Sequence, residues 1–193
     1  MAEVFDRAGA FFMSRSPQHE AARRITQALD AAGIPYVIAG GMAVNAHGHR
    51  RTTEDVDLLL TREGLAAFKA QWLGRGWVDA FAGSKGMRDT ESNVRVDVLI
   101  TGDFPVDGKE KPVAFPDPSI GEPSPDGYPV LPLRVLIELK LASAMTAAHR
   151  MQDYADAMNL IRVNDLPEDF AVDPYVAEKY REMWRNAQVR DDA

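Results

Sequence analysis

The chain has 193 residues, a net charge of −7, 46% hydrophobic residues and no cysteine. That size suits one domain, or one domain with a helical appendage, and it is apolar enough to bury a sizeable core. Disulfides and thiolate metal sites are excluded, the negative charge argues against broad nonspecific nucleic-acid binding, and no apolar run approaches the roughly 20 residues of a membrane span. With no secretory leader expected either, the default is a cytoplasmic protein that does not engage a membrane.

In chain order, Phe11-Phe12-Met13 reads as a small packing helix. Ala22, Ile25, Leu29 and Ala32 then recur at helical spacing between His19 and Ala32. Gly33 stops that helix and Pro35 prevents its restart. A β-branched run, Tyr36-Val37-Ile38-Ala39, breaks at Gly40-Gly41, and Met42 to Ala46 is helix-compatible. The next cluster, His47-Gly48-His49-Arg50-Arg51, is either a local basic site or a solvated loop. A strand follows over Asp55-Val56-Asp57-Leu58-Leu59-Leu60, with Thr61 as N-cap of a helix whose stripe is Leu65, Phe68, Trp72 and Leu73. Gly74 and Gly76 end that helix, Trp77 to Phe81 is a candidate strand, and Gly83 to Asn93 reads as a hairpin turn region.

Val94, Val96, Val98 and Ile100 alternate with Arg95, Asp97 and Leu99, which leaves Asp97 a lone acid in the middle of a hydrophobic strand. Eight prolines punctuate residues 102–132, a segment that is either a surface loop or a lid, with extended pieces at 113–115 and 128–130 at a sheet edge. Pro132 opens a helix with a wide apolar face of Leu133, Leu136, Ile137, Leu141, Ala144, Met145 and Ala148. Lys140 shares that face, either snorkelling to the core edge or reaching toward an anion in a cleft. Arg150, Asp153 and Asp156, three apart on the next helix, read as a surface salt-bridge ladder of small energetic worth. Asn164 and Pro167 break that helix, and Pro174 to Gln188 forms a last amphipathic one. The pattern is an α+β fold, a short mixed sheet flanked by helices. Residues 1–130 form its core, with the proline-rich segment as edge or lid, and residues 131–193 a helical region packed on it.

The chemistry is carried by the acids. A strand repeats every two residues, so Asp55 and Asp57 share a face with Cα atoms roughly 6.6 Å apart. Unpaired carboxylates at the start of a Leu-Leu-Leu strand cost several kcal/mol to bury, and a divalent cation is the usual remedy. If the strand of Asp97 lies beside theirs, three carboxylates meet, a site for Mg²⁺ or Mn²⁺ with waters and phosphate oxygens completing its shell. Two such ions can hold both oxygens of an in-line displacement at phosphorus. Gly40-Gly41 lets phosphate approach backbone N–H groups, and Arg51 offers a bidentate fork.

Gly40-Gly41, Arg51, Thr53, Asp55-x-Asp57 and Asp97 together resemble the nucleotidyltransferase superfamily with a polymerase β-like core. The spacing looks most like the minimal nucleotidyltransferases and the AbiEii-type toxins of toxin–antitoxin systems. The resemblance implies that Asp55, Asp57 and Asp97 bind metal, with Asp97 also helping to deprotonate the acceptor hydroxyl. It further implies that Gly40, Gly41, Arg51, Thr53 and Lys140 bind the NTP donor. Lys140, Arg150 and Asp153 are similar, at looser spacing, to the downstream AbiEii-type motif. Gly41 and Met42 stand where many members carry serine after the first glycine, a choice that occurs in the AbiEii-like branch. The implied activity is transfer of a nucleoside monophosphate to RNA, a protein hydroxyl or a small molecule, with a cognate antitoxin as a further partner. The alternatives are an inactive nucleotide- or partner-binding module on the same fold, and a purely structural role in which Asp55 and Asp57 cap loops and Asp97 pairs with Arg95 or Arg88.

Overall fold

The computed structural model describes residues 16–147 and 149–189. The packing helix expected at Phe11-Phe12-Met13, and Ala148 of the apolar stripe, lie outside them. Helix α1, Pro17–Ala31, starts where the Ser16 hydroxyl accepts from the His19 amide, with proline in its first turn. It ends at Gly33, whose φ of +64° suits a residue without a Cβ. Strand β1 (Tyr36–Ile38) is fully buried, and helix α2 (Gly40–Ala46) follows directly. Strand β2 (Asp55–Leu60) leads into helix α3 (Arg62–Trp72), where the Thr61 hydroxyl accepts from the Gly64 amide at 2.9 Å. Strands β3 (Trp77–Asp79) and β4 (Met87–Asp89) pair as a hairpin, with β4 inside the 83–93 stretch expected to be all turn, and β5 (Arg95–Ile100) follows.

The proline-rich segment contributes one 3₁₀ turn, Pro118–Ile120, and two short strands, β6 (Glu122–Pro123) and β7 (Pro129–Val130). Residues 113–115, expected to be extended, form no strand. They are tied to the end of β5 by Gly102 N–H donating to the Phe115 carbonyl and Phe115 N–H donating to Asp103. Of the eight prolines, Pro123 and Pro129 fall in these two short strands at the sheet margin.

The sheet order is β3-β4-β5-β2-β1-β7-β6. Strand β2 lies at its centre, parallel to β5 and antiparallel to β1. Val56, Leu58, Leu59 and Leu60 are each fully buried, so the β2 face that carries the acids is the only polar part of the strand. Val96, Val98 and Ile100 on β5, and Val94 just before it, are buried, in agreement with the alternation in the sequence. Helices α4 (Leu133–Thr146), α5 (Met151–Val163) and α6 (Pro174–Gln188) pack on one another, and α4 also meets α2. One hydrophobic core runs without a break from α1 to α6.

Candidate active site

A cleft of about 870 Å³ opens between the acid-bearing face of β2 and β5, the α4–α5 pair, and the tip of the β3–β4 hairpin. In the parallel β2–β5 pairing, Asp57 stands opposite Asp97 and Asp55 opposite Arg95. Adjacent strands run about 4.8 Å apart, so the three acids share one small patch of the sheet. All three line the cleft, as do Gly40, Gly41, Arg51, Thr53 and Lys140.

Asp57 lies deepest. Burial, then the neighbouring Asp55 charge, push its carboxyl up to about 6; Lys140 and Arg51 pull it down and Asp97 pushes it further up. Its carboxylate packs directly on Gly40, where a Cβ would fall 1.6 Å from Asp57 Oδ2. With a φ of +53°, Gly40 is held to glycine by conformation as well as by space. A Cβ on Gly41 would come within 2.8 Å of Thr53. The Thr53 hydroxyl donates to Asp55 Oδ1 at 3.0 Å, fixing that carboxylate's orientation. The glycine pair thus lets the turn after β1 close down on the residues that carry and orient the acids.

Arg51 and Lys140 converge on the cleft but are not free cations. Arg51 Nε lies 2.7 Å from Asp156 Oδ1, its Nη2 donates to Asp156 Oδ2 at 2.9 Å, and Lys140 Nζ reaches Asp156 Oδ2 at 2.8 Å and Asp153 Oδ1 at 2.7 Å. Ser143 donates to Asp153 and Gln152 to Asp156. Asp156 is fully buried and Asp153 nearly so, which corrects the reading of these acids as a surface ladder. Burial alone would raise the Asp156 carboxyl, yet Lys140 and Arg51 hold it below the usual carboxylate range. Burial would likewise lower the Lys140 ammonium, and Asp153 with Asp156 more than reverse that. Asn45 fixes the approach of Arg51, donating to its carbonyl at 2.7 Å and accepting from its N–H at 3.0 Å. Of the basic cluster before β2, Arg51 alone lines the cleft. His47 is occupied at its ring by the Leu131 carbonyl at 2.7 Å.

Asp97 Oδ1 accepts from Arg95 Nε at 2.6 Å. Among the described residues no three acids or imidazoles stand close enough to enclose an ion unaided. The donor set nevertheless suits Mg²⁺ or Mn²⁺. Such an ion takes one or two carboxylates and completes its shell with water and substrate phosphates, and Asp57 is a half-buried carboxylate held above its ordinary range even with Lys140 and Arg51 nearby. The Arg95 side chain is more than half exposed, so its pair with Asp97 is the kind worth about 0–1 kcal/mol.

Sequence reasoning missed Asp156, Ser143 and Gln152 as parts of the site, and also the hairpin tip with Phe81. The signal for the first three was Lys140 itself, a lysine on an apolar helix face facing a helix with acids at i and i+3.

No protein-family model matches the chain, and no curated protein matches it. Among solved structures it is similar to ANT(2'')-Ia in complex with adenylyl-2''-tobramycin. The TM-score is 0.51 at 16% identity, over 88% of this chain and 98% of that one. It is also similar to the solution structure of the antibiotic-resistance factor ANT(2'')-Ia, with a TM-score of 0.50 at 16% identity, over 86% and 89%. The chain shares its fold with these structures. In that fold the acid patch, the glycine turn and the α4–α5 wall lie around one cleft, while no described helix is long and apolar enough to cross a membrane.

Proposed function

We propose that this protein is a divalent-metal-dependent nucleotidyltransferase that moves a nucleoside monophosphate from an NTP to a hydroxyl of a small-molecule acceptor. The observation that carries this reading is the register of β2 on β5, which sets Asp57 opposite Asp97 with Asp55 on the same face, beneath Gly40. Asp55 and Asp57 would hold the ion, and Gly40-Gly41 would admit the triphosphate. A bound Mg²⁺ supplies charge neutralisation at the phosphoryl oxygens. Asp97 accepts the proton of the acceptor hydroxyl, whose oxygen forms the new bond to the α-phosphorus as the bond to pyrophosphate breaks. Arg51 and Lys140, locked to Asp153 and Asp156, act mainly as a rigid wall that holds α4 and α5 against the loop before β2.

A small-molecule acceptor is supported by the likeness to ANT(2'')-Ia, whose bound adenylyl-2''-tobramycin is a nucleotide joined to a small molecule. The net charge of −7 also disfavours a long polyanion. A second reading, an AbiEii-type toxin acting on RNA and held by an antitoxin, is favoured by the buried Lys140–Asp153 pair where that family's downstream motif falls. Pyrophosphate release from each NTP with Mg²⁺, in the presence of tobramycin, bulk tRNA or the protein alone, tests both. Release stimulated by a small hydroxylated acceptor and abolished in Asp57→Asn supports the first. Stimulation by tRNA alone supports the second, and nucleotide binding without release under any condition makes the protein a binding module.

A further inference from the structure

Beyond the acids, the cleft changes character. On the same face of β5, Leu99 lies two residues past Asp97, about 6.6 Å along the strand, and the wall beyond it is built from Phe104, Pro105, Phe115 and, on α4, Leu139. Phe104 and Phe115 are half-buried, with Pro105 and Leu139 buried behind them. The side chains of these five residues carry no hydrogen-bonding atom. Pro105 has no N–H, and its carbonyl is already taken by Lys111 Nζ at 2.8 Å and the Asp107 amide at 3.0 Å. Lys111 is itself nearly buried, and it reaches Thr146 in the last turn of α4 at 3.3 Å, so the 104–107 turn is pinned to the helix. Within that turn Val106 takes a φ of +67°, a left-handed conformation that a β-branched residue adopts only when its surroundings impose it. A strained, tethered turn presenting an aromatic ring to a reaction cleft is a built surface.

We propose that this apolar end is the nucleobase subsite, that it grips the base by stacking on Phe104, and that it therefore accepts all four NTPs. The proposal rests on the nucleotidyltransferase reading above. Every base has a π-face, so stacking is tolerant of base identity, whereas discrimination needs donors and acceptors at the base edge. The subsite lies in the same cleft as the acid patch and begins at Leu99, one strand repeat beyond Asp97. The hairpin side of the cleft, where Phe81 is 71% exposed, stays open for the acceptor.

Isothermal titration of the full chain with Mg²⁺ complexes of ATP, GTP, CTP, UTP and inorganic tripolyphosphate tests this. The four NTPs are expected to bind within about fivefold of one another, each at least tenfold tighter than tripolyphosphate. Phe104→Ala is expected to remove roughly five- to hundredfold of affinity for every NTP, the range one base–aromatic stack supplies, and to leave tripolyphosphate unchanged. Phe104→Leu, which keeps the side chain's bulk without its π-face, gives an intermediate loss and covers the case in which the alanine variant does not fold. A single NTP preferred by thirtyfold or more overturns the proposal, as do NTP affinities unmoved by either variant. If tripolyphosphate binds and the nucleoside adds nothing, the subsite is wrong while the phosphate site stands. If neither tripolyphosphate nor any NTP binds, both readings fall.

Discussion

Replacing Asp57 by asparagine separates what this residue does for chemistry from what it costs the fold. Its carboxyl is raised from 3.8 to about 6, first by burial and then by Asp55. A carboxyl whose pKa is higher folded than unfolded contributes stability that is fully present below about pH 4, is lost as pH rises to 6, and stays lost above it. Two pKa units correspond to about 3 kcal/mol, so metal-free protein at neutral pH carries a penalty of that order at this one site. Asp57→Asn removes the charge at nearly constant shape. The variant is expected to unfold at a higher temperature than wild type at pH 7.5 in EDTA, by up to about 6–12 °C, since 1 kcal/mol is worth about 2–4 °C in a chain of this length. At pH 4 the difference should nearly vanish. Mg²⁺ at pH 7.5 should raise the wild-type midpoint more than the variant's, because the variant keeps Asp55 but loses the second charged carboxylate offered to the ion. Thermal unfolding followed by circular dichroism reads all four conditions. A variant less stable than wild type in EDTA at pH 7.5, or a wild type whose stability is flat between pH 4 and 6, would refute the reasoning.

Gly40→Ala puts a Cβ where Asp57 Oδ2 now lies and forces φ +53° on a residue with a side chain. It should cost about 1–3 kcal/mol by chemical denaturation and, by displacing Asp57, lower pyrophosphate release at least a hundredfold. Asp156→Ala strips the fully buried acceptor from Arg51 and Lys140. A loss of about 3–5 kcal/mol is expected from a urea titration, and a cost under about 1 kcal/mol would mean that the cluster is solvated after all. Arg95→Ala should change stability by less than about 1 kcal/mol and retain turnover, since Arg95 only holds Asp97 at an exposed pair. Asp97→Asn, in contrast, should lower kcat about a hundredfold or more.

Much of the frame is legible in the residues because the signals are local. The period-two alternation of Val94–Ile100, the Thr61 cap, the Gly33 stop and the Pro174 start each depend on a few neighbours in the chain, and each appears where the spacing sets it. The pairing of Asp57 with Asp97 could be expected only conditionally, since alternation tells which face a side chain takes and not which strand lies alongside. The Asp153–Asp156 stripe was misread for a related reason. Acids at i and i+3 look the same whether water or Lys140 and Arg51 cover them, and Arg51 arrives from 105 residues away. The base-stacking end of the cleft was illegible because Leu99, Phe104, Phe115 and Leu139 come from four different segments, and no local pattern tells which segments lie side by side.

The most direct test is a crystal of the protein grown with Mn²⁺ and a non-hydrolysable NTP, with data collected at the manganese edge. An anomalous peak is expected at coordination distance, roughly 2.0–2.3 Å, from carboxylate oxygens of both Asp55 and Asp57. The triphosphate is expected against Gly40-Gly41, with Asp97 released from Arg95. Manganese bound elsewhere, or a triphosphate seated in the cleft while those two carboxylates hold no ion, contradicts the proposed metal site.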